Sequence, residues 1–152
     1  MGSILDFKNA VNAGIASRMA AVGENIAEQM RKNLQNAGHV DTGALLESIR
    51  SETVTEPDTV TTYIYADAQS KDGAYYAEFI ELGTGAAHGR PGGRVGTWRY
   101  QDRNGVWHTT DGMDADPFIH PAVDEYIGDI ADIVSDVMYD IAKYGRMVGG
   151  GS

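Results

Sequence analysis

The sequence predicts an α+β fold: a long N-terminal helix and a C-terminal helix packed on a small antiparallel sheet that is built from two hairpins. Apolar residues recur every three or four positions near both ends of the chain, which is typical of amphipathic helices. Between them, β-branched and aromatic residues form short runs separated by turn residues, which is typical of strands. The length of 152 residues fits one domain. We expect that domain to occupy 1–145, with a flexible tail at 146–152.

A long amphipathic helix is predicted near the start of the chain. Its apolar positions are separated mostly by polar residues, and they are Val11, Ile15, Met19, Val22, Ile26, Met30 and Leu34. Gly38 is suited to the left-handed position that ends a helix. A helix of roughly 30 residues is long against the usual three or four turns. We therefore expect it to serve an interface as well as the core.

A short helix is predicted next. Asp41 or Thr42 can cap it, because their side chains accept a hydrogen bond from a backbone N–H group. Its apolar side is formed by Leu45, Leu46 and Ile49.

The period then changes from that of a helix to that of a strand. Residues 51–56 and 59–65 are rich in β-branched and aromatic side chains, and Pro57 and Asp58 between them form a typical turn pair. These features predict an antiparallel hairpin. Residues 75–82 are too few for periodicity to decide between a helical turn and a buried strand, so both interpretations stay open.

A glycine-rich segment and a second hairpin occupy the middle of the chain. Six glycines in 83–96 predict a flexible loop. Residues 98–100 and 106–108 predict two strands, and Asn104-Gly105 between them is a strong signal for a type I′ turn. Unstructured loops longer than about 12 residues are usually functional or disordered, so we expect this loop to order when a partner binds.

The last element is predicted to be a two-faced helix. Pro121 suits its first turn, and Lys143 lies near its C-terminus, where the helix dipole favours a cation. The apolar stripe consists of Val123, Ile127, Ile130, Val134, Val137 and Ile141. The opposite face consists of Asp124, Asp129, Asp132, Asp136 and Asp140.

Charge is distributed unevenly along the chain. The net charge is -10, but residues 84–110 hold four arginines and one aspartate, a net of +3 that leaves -13 for the rest. A basic loop on an acidic body indicates docking onto an acidic surface or onto nucleic acid. An acidic body does not suit the coating of duplex DNA, because the phosphates repel it. No apolar run approaches the roughly 20 residues that cross a bilayer, so we expect no membrane partner.

The sequence contains no recognisable catalytic, metal-binding or cofactor-binding constellation. The absence of cysteine excludes disulfides and zinc–thiolate sites. The glycine-rich loop lacks the phosphate-binding pattern, no serine lies in a nucleophile elbow, and no two histidines have metal-binding spacing. We interpret the aspartates of the last helix as a solvated face, or as one that meets a basic patch on a neighbour, and not as a metal array. We expect no enzymatic activity, no metal and no cofactor.

The second hairpin leaves a nucleic-acid-binding function open. Trp98, Tyr100 and Trp107 lie close to Arg99 and Arg103, and such aromatic residues can stack on bases. They can equally cover one face of a sheet. A nucleic-acid-binding accessory protein that uses residues 87–108 is therefore an alternative interpretation.

Three segments contain short motifs: residues 40–49 contain Thr-Gly-x-Leu-x-x-Ser-Ile, residues 76–85 contain Tyr-Ala-x-x-x-Glu-x-Gly-Thr, and residues 114–122 contain Ala-x-Pro-Phe-x-x-Pro-Ala. Together, and in this order, they resemble the tail-completion or neck proteins, which join head and tail in long-tailed double-stranded DNA bacteriophages. The matching positions are Thr42, Gly43, Tyr76, Glu81, Gly83, Thr84, Pro117, Phe118 and Pro121.

The resemblance implies a structural virion protein, made in the host cytoplasm, that forms a homo-oligomeric ring at the head–tail junction. A ring of six subunits is implied first, and a ring of twelve is the alternative. The implied partners are further copies of the chain, a tail terminator or tail tube protein, and a head-closure or connector protein. Viral DNA would pass through the lumen without specific binding. No catalytic residues carry over.

The uneven charge predicts how neighbouring subunits meet. We expect the basic loop of one subunit to contact the acidic helix of the next, in a head-to-tail interface that closes a ring. The expected interface residues are Arg90, Arg94, Arg99 and Arg103 on one side and Asp132, Asp136 and Asp140 on the other. Charge reversal at Arg90 and Arg94 is expected to weaken assembly without unfolding the isolated subunit.

Overall fold

The structure, a computed structural model, describes residues 3–39, 43–70, 73–102 and 104–144. Its elements in chain order are α1 (Ile4–Asn36), α2 (Ala44–Ser48), β1 (Ile49–Thr55), β2 (Val60–Ala66), α3 (Tyr76–Leu82), a 3₁₀ turn (Ala86–His88), β3 (Trp98–Gln101), β4 (Trp107–Thr110) and α4 (Ile119–Tyr144). This order confirms the α+β class with a long helix at each end. The prediction of one sheet needs correction, because each hairpin forms its own two-stranded sheet. The predicted tail, 146–152, lies outside the described residues.

Helix α1 extends beyond the core that it covers. It begins at a capping box formed by Ser3 and Asp6, and it stops before Gly38, whose φ of 80° is the left-handed conformation expected from the sequence. The side chains of 4–10 are all exposed, and fully buried positions begin at Gly14. The first two turns of α1 are therefore free of the core.

The short helix α2 is capped differently from the prediction. It begins after Gly43, which has a φ of 71°, while Asp41 and Thr42 lie outside the described residues. Ile49 is not on this helix but starts β1, where its side chain is buried. Ile49 belongs to the strand because its backbone pairs with that of Ala66 in β2.

The first hairpin packs closely on α1. β1 and β2 pair antiparallel over their full length, on either side of the predicted turn at Pro57 and Asp58. At Gly23 the helix comes so near the sheet that an added Cβ would lie 2.6 Å from Thr62 Cγ2. A small residue is therefore required at this point of contact.

The hydrophobic core lies where α1, the first hairpin, α2, α3 and the start of α4 meet. Helices α1 and α4 are antiparallel, because Arg18 contacts Asp140 while Asn33 contacts Phe118. Phe118 is the largest fully buried side chain. The buried residues of this core are Ile26, Ala27, Met30, Leu34, Leu45, Ile49, Ala77, Phe118 and Ala122.

The buried face of α4 is rotated from the predicted one. Val137 is buried as expected, but Ala122 and Ile133 are buried as well, and the prediction is wrong for Ile127 and Val134, which are 57% and 50% exposed. Apolar side chains cover a wider arc of α4 than α1 can bury. Periodicity alone could not decide which part of that arc α1 would cover.

The second hairpin has a different turn from the predicted type I′. Gln101 pairs with Trp107, and the Asp102 N–H donates to the Val106 carbonyl at 2.9 Å. This register leaves more residues between the paired positions than the two of a type I′ turn. No non-glycine residue in the described part of the chain has a positive φ, whereas type I′ needs one at Asn104. The Asp102 carboxylate accepts the N–H groups of Asn104 and Val106, and this holds the alternative turn.

Candidate assembly surface and the junction that carries it

A carboxylate from α3 caps the N-terminus of α4. Glu81 Oε2 accepts the N–H groups of Phe118 and Ile119, at 2.8 Å each, and Glu81 Oε1 accepts the His120 N–H at 2.9 Å. The first four N–H groups of a helix have no acceptor inside it, and the fourth position here is Pro121, which has no N–H. Every backbone N–H group at the N-terminus of α4 that lacks an acceptor inside the helix is therefore hydrogen-bonded to Glu81. The negative charge of Glu81 also lies at the positive end of the helix dipole.

Two backbone segments cross next to this cap. Thr84 and Met113 exchange both backbone hydrogen bonds, at 2.9 and 3.1 Å. Gly83 has a φ of 73°, and an added Cβ would lie 2.7 Å from the Met113 carbonyl oxygen. At Gly85, with a φ of 82°, the added Cβ would overlap the carbonyl oxygen of Asp111. Both the backbone conformation and the close approach require glycine at these two positions.

We call residues 81–85 and 111–121 the junction. It joins two of the three segments that carry the family resemblance, and it contains the motif residues Glu81, Gly83, Thr84, Pro117, Phe118 and Pro121. Tyr76 begins α3, and Gly43 precedes α2. Thr42 lies outside the described residues. The motif residues in the junction thus cap, bridge or fill the core, and their contacts suit a structural role.

A histidine fastens the loop after α3 to the junction. The two ring nitrogens of His88 lie 2.8 Å from Asp111 and 2.8 Å from Asp114, so the ring stands between the two carboxylates. Asp111 first, and then Asp114, raises the pKa of His88. In return His88 lowers the pKa of Asp111. The two aspartates bind opposite edges of the ring and therefore do not form one metal site with it.

Arg90 adds a second attachment for the loop. Its guanidinium donates to the Gly83 carbonyl oxygen at 3.3 Å and pairs with Glu78 of α3. The sequence placed Arg90 in an interface between subunits. In the structure these contacts lie within the subunit, so the charge of Arg90 is already paired with that of Glu78.

The β3–β4 hairpin exposes side chains on both faces. Arg99 lies over the ring of Trp107, 5.0 Å from its centroid, and Tyr100 stacks on His108 with 5.2 Å between ring centroids. Neighbouring residues on a strand point to opposite faces, so these two pairs lie on opposite sides of the hairpin. In the described part of the chain the hairpin makes no extensive contact with α1, α2 or α4.

The hairpin and its loop form a positively charged surface. Arg94 lies over the ring of Trp98, 5.1 Å from its centroid, and is exposed. Asp102 is the single acidic residue between 84 and 110, and it pairs with His108 at 2.7 Å. This pairing lowers the pKa of Asp102, whose carboxylate also accepts hydrogen bonds from the backbone of the turn. Arg103 lies outside the described residues.

The three aspartates that the sequence assigned to an interface differ in their surroundings. Asp140 pairs with Arg18 of α1 at 2.9 Å and is only 14% exposed, whereas Asp136 lies 3.7 Å from the same arginine and is more open to solvent. Asp132 is exposed and makes no ion pair with any described residue. Sequence reasoning missed Arg18, because a polar residue between apolar positions on α1 gives no signal of a partner 122 residues away.

Other types of site find little support among the described residues. No group of three or more potential metal ligands converges there. A small apolar cleft lined by Met19, Val22, Ile64 and Ile130 has a volume of about 70 Å³, well below the roughly 300 Å³ at which small-molecule sites begin. None of the described helices combines the length and the apolar character that crossing a membrane requires.

Comparison of the chain with models of known protein families, with curated proteins and with solved structures gives no match. Its function must be inferred from its own residues and contacts.

Proposed function

We propose that this chain is a structural subunit of a tailed-phage virion and forms a homo-oligomeric ring at the head–tail junction. Six subunits are proposed, with twelve as the alternative. The ring would contact a tail terminator or tail tube protein on one side and a head-closure or connector protein on the other. Viral DNA would pass through the lumen without specific contacts.

One observation carries this proposal: the junction leads into a hairpin that makes no extensive contact with the other helices and strands in the described part of the subunit. A two-stranded hairpin alone in water is only marginally stable, so one with aromatic residues on both faces gains stability when a partner covers it. Exposed apolar patches of this type mark protein–protein contacts. The junction itself is built from the positions of the family resemblance, such as Glu81, Gly83 and Phe118.

Charge supports association between identical subunits. The basic stretch carries +3 and the rest of the chain carries -13, so each subunit offers surfaces of both signs. Opposite potentials on two surfaces of one chain favour the encounter of copies and fix their relative orientation. A repeating head-to-tail contact of this kind generates a closed ring when its rotation closes.

One observation favours the alternative function, a nucleic-acid-binding accessory protein that uses residues 87–108. Arg94 over Trp98 and Arg99 over Trp107 present cations beside exposed aromatic rings, the combination that single-stranded nucleic acids bind. The acidic remainder of the chain opposes this function, because it repels phosphates.

A paired experiment on one preparation separates the two functions. Purified protein is imaged by negative-stain microscopy and titrated into single-stranded and duplex DNA in gel-shift assays at several salt concentrations. We expect rings, and no DNA binding near physiological salt. Monomers that bind DNA with a steep salt dependence would replace the proposed function with the alternative.

A further inference from the structure

Helix α4 carries an apolar stripe that the described part of its own subunit leaves largely open. Ile127, Ala131, Val134 and Met138 follow one another at steps of four, three and four, so they lie along one line of the helix. Ile127 is 57% exposed, Val134 is 50% exposed and Met138 is 45% exposed. At 1.5 Å per residue the stripe is about 16 Å long. An apolar line of this length, open in the part of the chain that the structure describes, is suited to packing against a partner.

The exposed surface of α4 has two edges. The apolar stripe lies along one edge, and acidic side chains, called here the acidic flank, lie along the other. Glu125, Asp129 and Asp132 are exposed and form no ion pair with any described residue. The ridge between the two edges is low at Gly128, which has no side chain and no atom from outside its own stretch of helix within 4 Å of the place where a Cβ would be. A partner that packs on the stripe can therefore extend a long cationic side chain across the ridge.

The second hairpin presents the complementary combination. Trp107 is 56% exposed, and the Arg99 guanidinium lies beside its ring. This face offers an apolar anchor and a cation at one place. Aromatic residues and arginine are the side chains that most often dominate the energy of protein interfaces.

We propose that the Arg99–Trp107 face of one copy docks on the α4 stripe of a second copy. Trp107 packs on Ile127 and Val134, and Arg99 reaches across the ridge to the acidic flank. This inference rests on the proposed function, because it specifies the contact between neighbouring subunits. The contact joins two different surfaces. Each copy therefore docks its hairpin on one neighbour and accepts the hairpin of another neighbour on its α4 stripe, which is the geometry of a ring.

Complementary charge and apolar character together select a second copy as the occupant. The acidic flank of α4 attracts the arginines of the hairpin and repels a second α4, so two copies do not pair stripe to stripe. A nucleic acid would satisfy the arginines but would leave the apolar stripe of α4 uncovered. Only a partner with both features covers both surfaces, and the chain itself has them.

The test compares assembly of variants with that of the wild-type protein by mass photometry over a range of concentrations. Trp107→Ser disables the hairpin and Val134→Asp disables the stripe, while circular dichroism checks that each variant is folded. Tyr63→Ser on the first hairpin and Tyr144→Asp at the C-terminal end of α4, away from both the stripe and the acidic flank, are matched controls, because both residues are about half exposed. Arg99→Glu and Ile127→Asp replace either disabled variant if it loses helical signal.

We expect the two disabled variants to need at least a tenfold higher concentration for half-assembly, roughly the effect of losing one strong interface residue, and the controls to assemble like wild type. Mixing the two disabled variants should give dimers that do not grow, because the mixture contains one intact donor and one intact acceptor. Normal assembly of both disabled variants would overturn this contact and leave the ring proposal standing. Wild-type protein that stays monomeric at every concentration would overturn both.

Discussion

The cap that Glu81 places on α4 gives a sharp prediction, because one side chain accepts hydrogen bonds from three consecutive backbone N–H groups. Replacing Glu81 with alanine removes all three acceptors and the charge at the end of the helix. No other described side chain is hydrogen-bonded to the N–H groups of Phe118, Ile119 or His120. We therefore expect Glu81→Ala to destabilise the whole fold, since Phe118 lies in the core.

The size of this effect follows from the environment of each bond. Losing a helix cap costs about 0.5–2 kcal/mol, and losing a charge at the dipole costs about 0.3–1 kcal/mol. Two of the three N–H groups are partly buried, so water replaces Glu81 poorly there, whereas the exposed His120 N–H can bind water. We expect a loss of about 2–3 kcal/mol in the free energy of unfolding, or roughly 5–10 °C in Tm. Glu81→Gln, which keeps one acceptor oxygen, should lose about half as much.

Urea unfolding followed by circular dichroism measures the free energy, and hydrogen exchange locates the change. Exchange should accelerate first at the amides of 118–120. Glu125→Ala is the control, because that exposed residue on α4 makes no ion pair with described residues and its loss should change stability by less than about 0.5 kcal/mol. A loss for Glu81→Ala no larger than that of the control, with unchanged exchange at 118–120, would refute the capping role.

Three further predictions concern the junction and the helices. Gly85→Ala should cost about 3 kcal/mol in urea unfolding, because the new Cβ combines a strained backbone conformation with overlap on the Asp111 carbonyl. The segment 86–94 should be best protected from hydrogen exchange, after correction for intrinsic rates, between about pH 4 and 6.5 and should loosen at higher pH. The raised pKa of His88 gives stability that is present below its ordinary pKa near 6.5 and lost as pH rises, and the lowered pKa of Asp111 gives stability that is lost as pH falls below about 4. Asp140→Asn should cost about 1–3 kcal/mol and Asp132→Asn less than about 0.5 kcal/mol, because only the first pairs with an arginine of α1 away from solvent.

Each of these predictions has a control within the chain. Gly89 also has a positive φ but no atom within 4 Å of its missing Cβ, so Gly89→Ala should cost only the backbone strain of about 1 kcal/mol. Equal losses at Gly85 and Gly89 would show that the crossing tolerates a side chain. His88→Ala should abolish the pH dependence of protection, and an unchanged profile would assign it to other groups. Equal effects at Asp132 and Asp140 would contradict the difference in their surroundings.

Elements with a strong local signal were predictable from the sequence. The stripe of α1 repeats over nearly its whole length, and Gly38 ends the helix as the pattern indicates. The first hairpin was predictable because its β-branched runs flank a turn pair. Residues 76–82 were not, since a seven-residue helix is selected by burial of Ala77 in the core and by the reach of Glu81 to α4.

The candidate surface was predictable in its charge but not in its contacts. The excess of arginine in residues 84–110 was visible in the sequence, whereas the turn of Arg90 toward Gly83 and Glu78 depends on the junction, which forms only in the folded chain. Likewise, the pairing of Asp140 with α1 depends on the antiparallel packing of two helices that are far apart in sequence. The uncovered stripe of α4 had a sequence signal, because its apolar arc is too wide for one neighbouring helix to cover.

The most direct test of the proposed function is the position of the chain in a phage particle. Particles induced from the source genome would be purified, labelled with gold-conjugated antibodies against the chain, and imaged by electron microscopy. The proposal predicts label confined to the junction between head and tail, in a copy number per particle that matches one ring. Particles with intact heads and tails that lack the chain, or label spread along the tail or over the head, would contradict it.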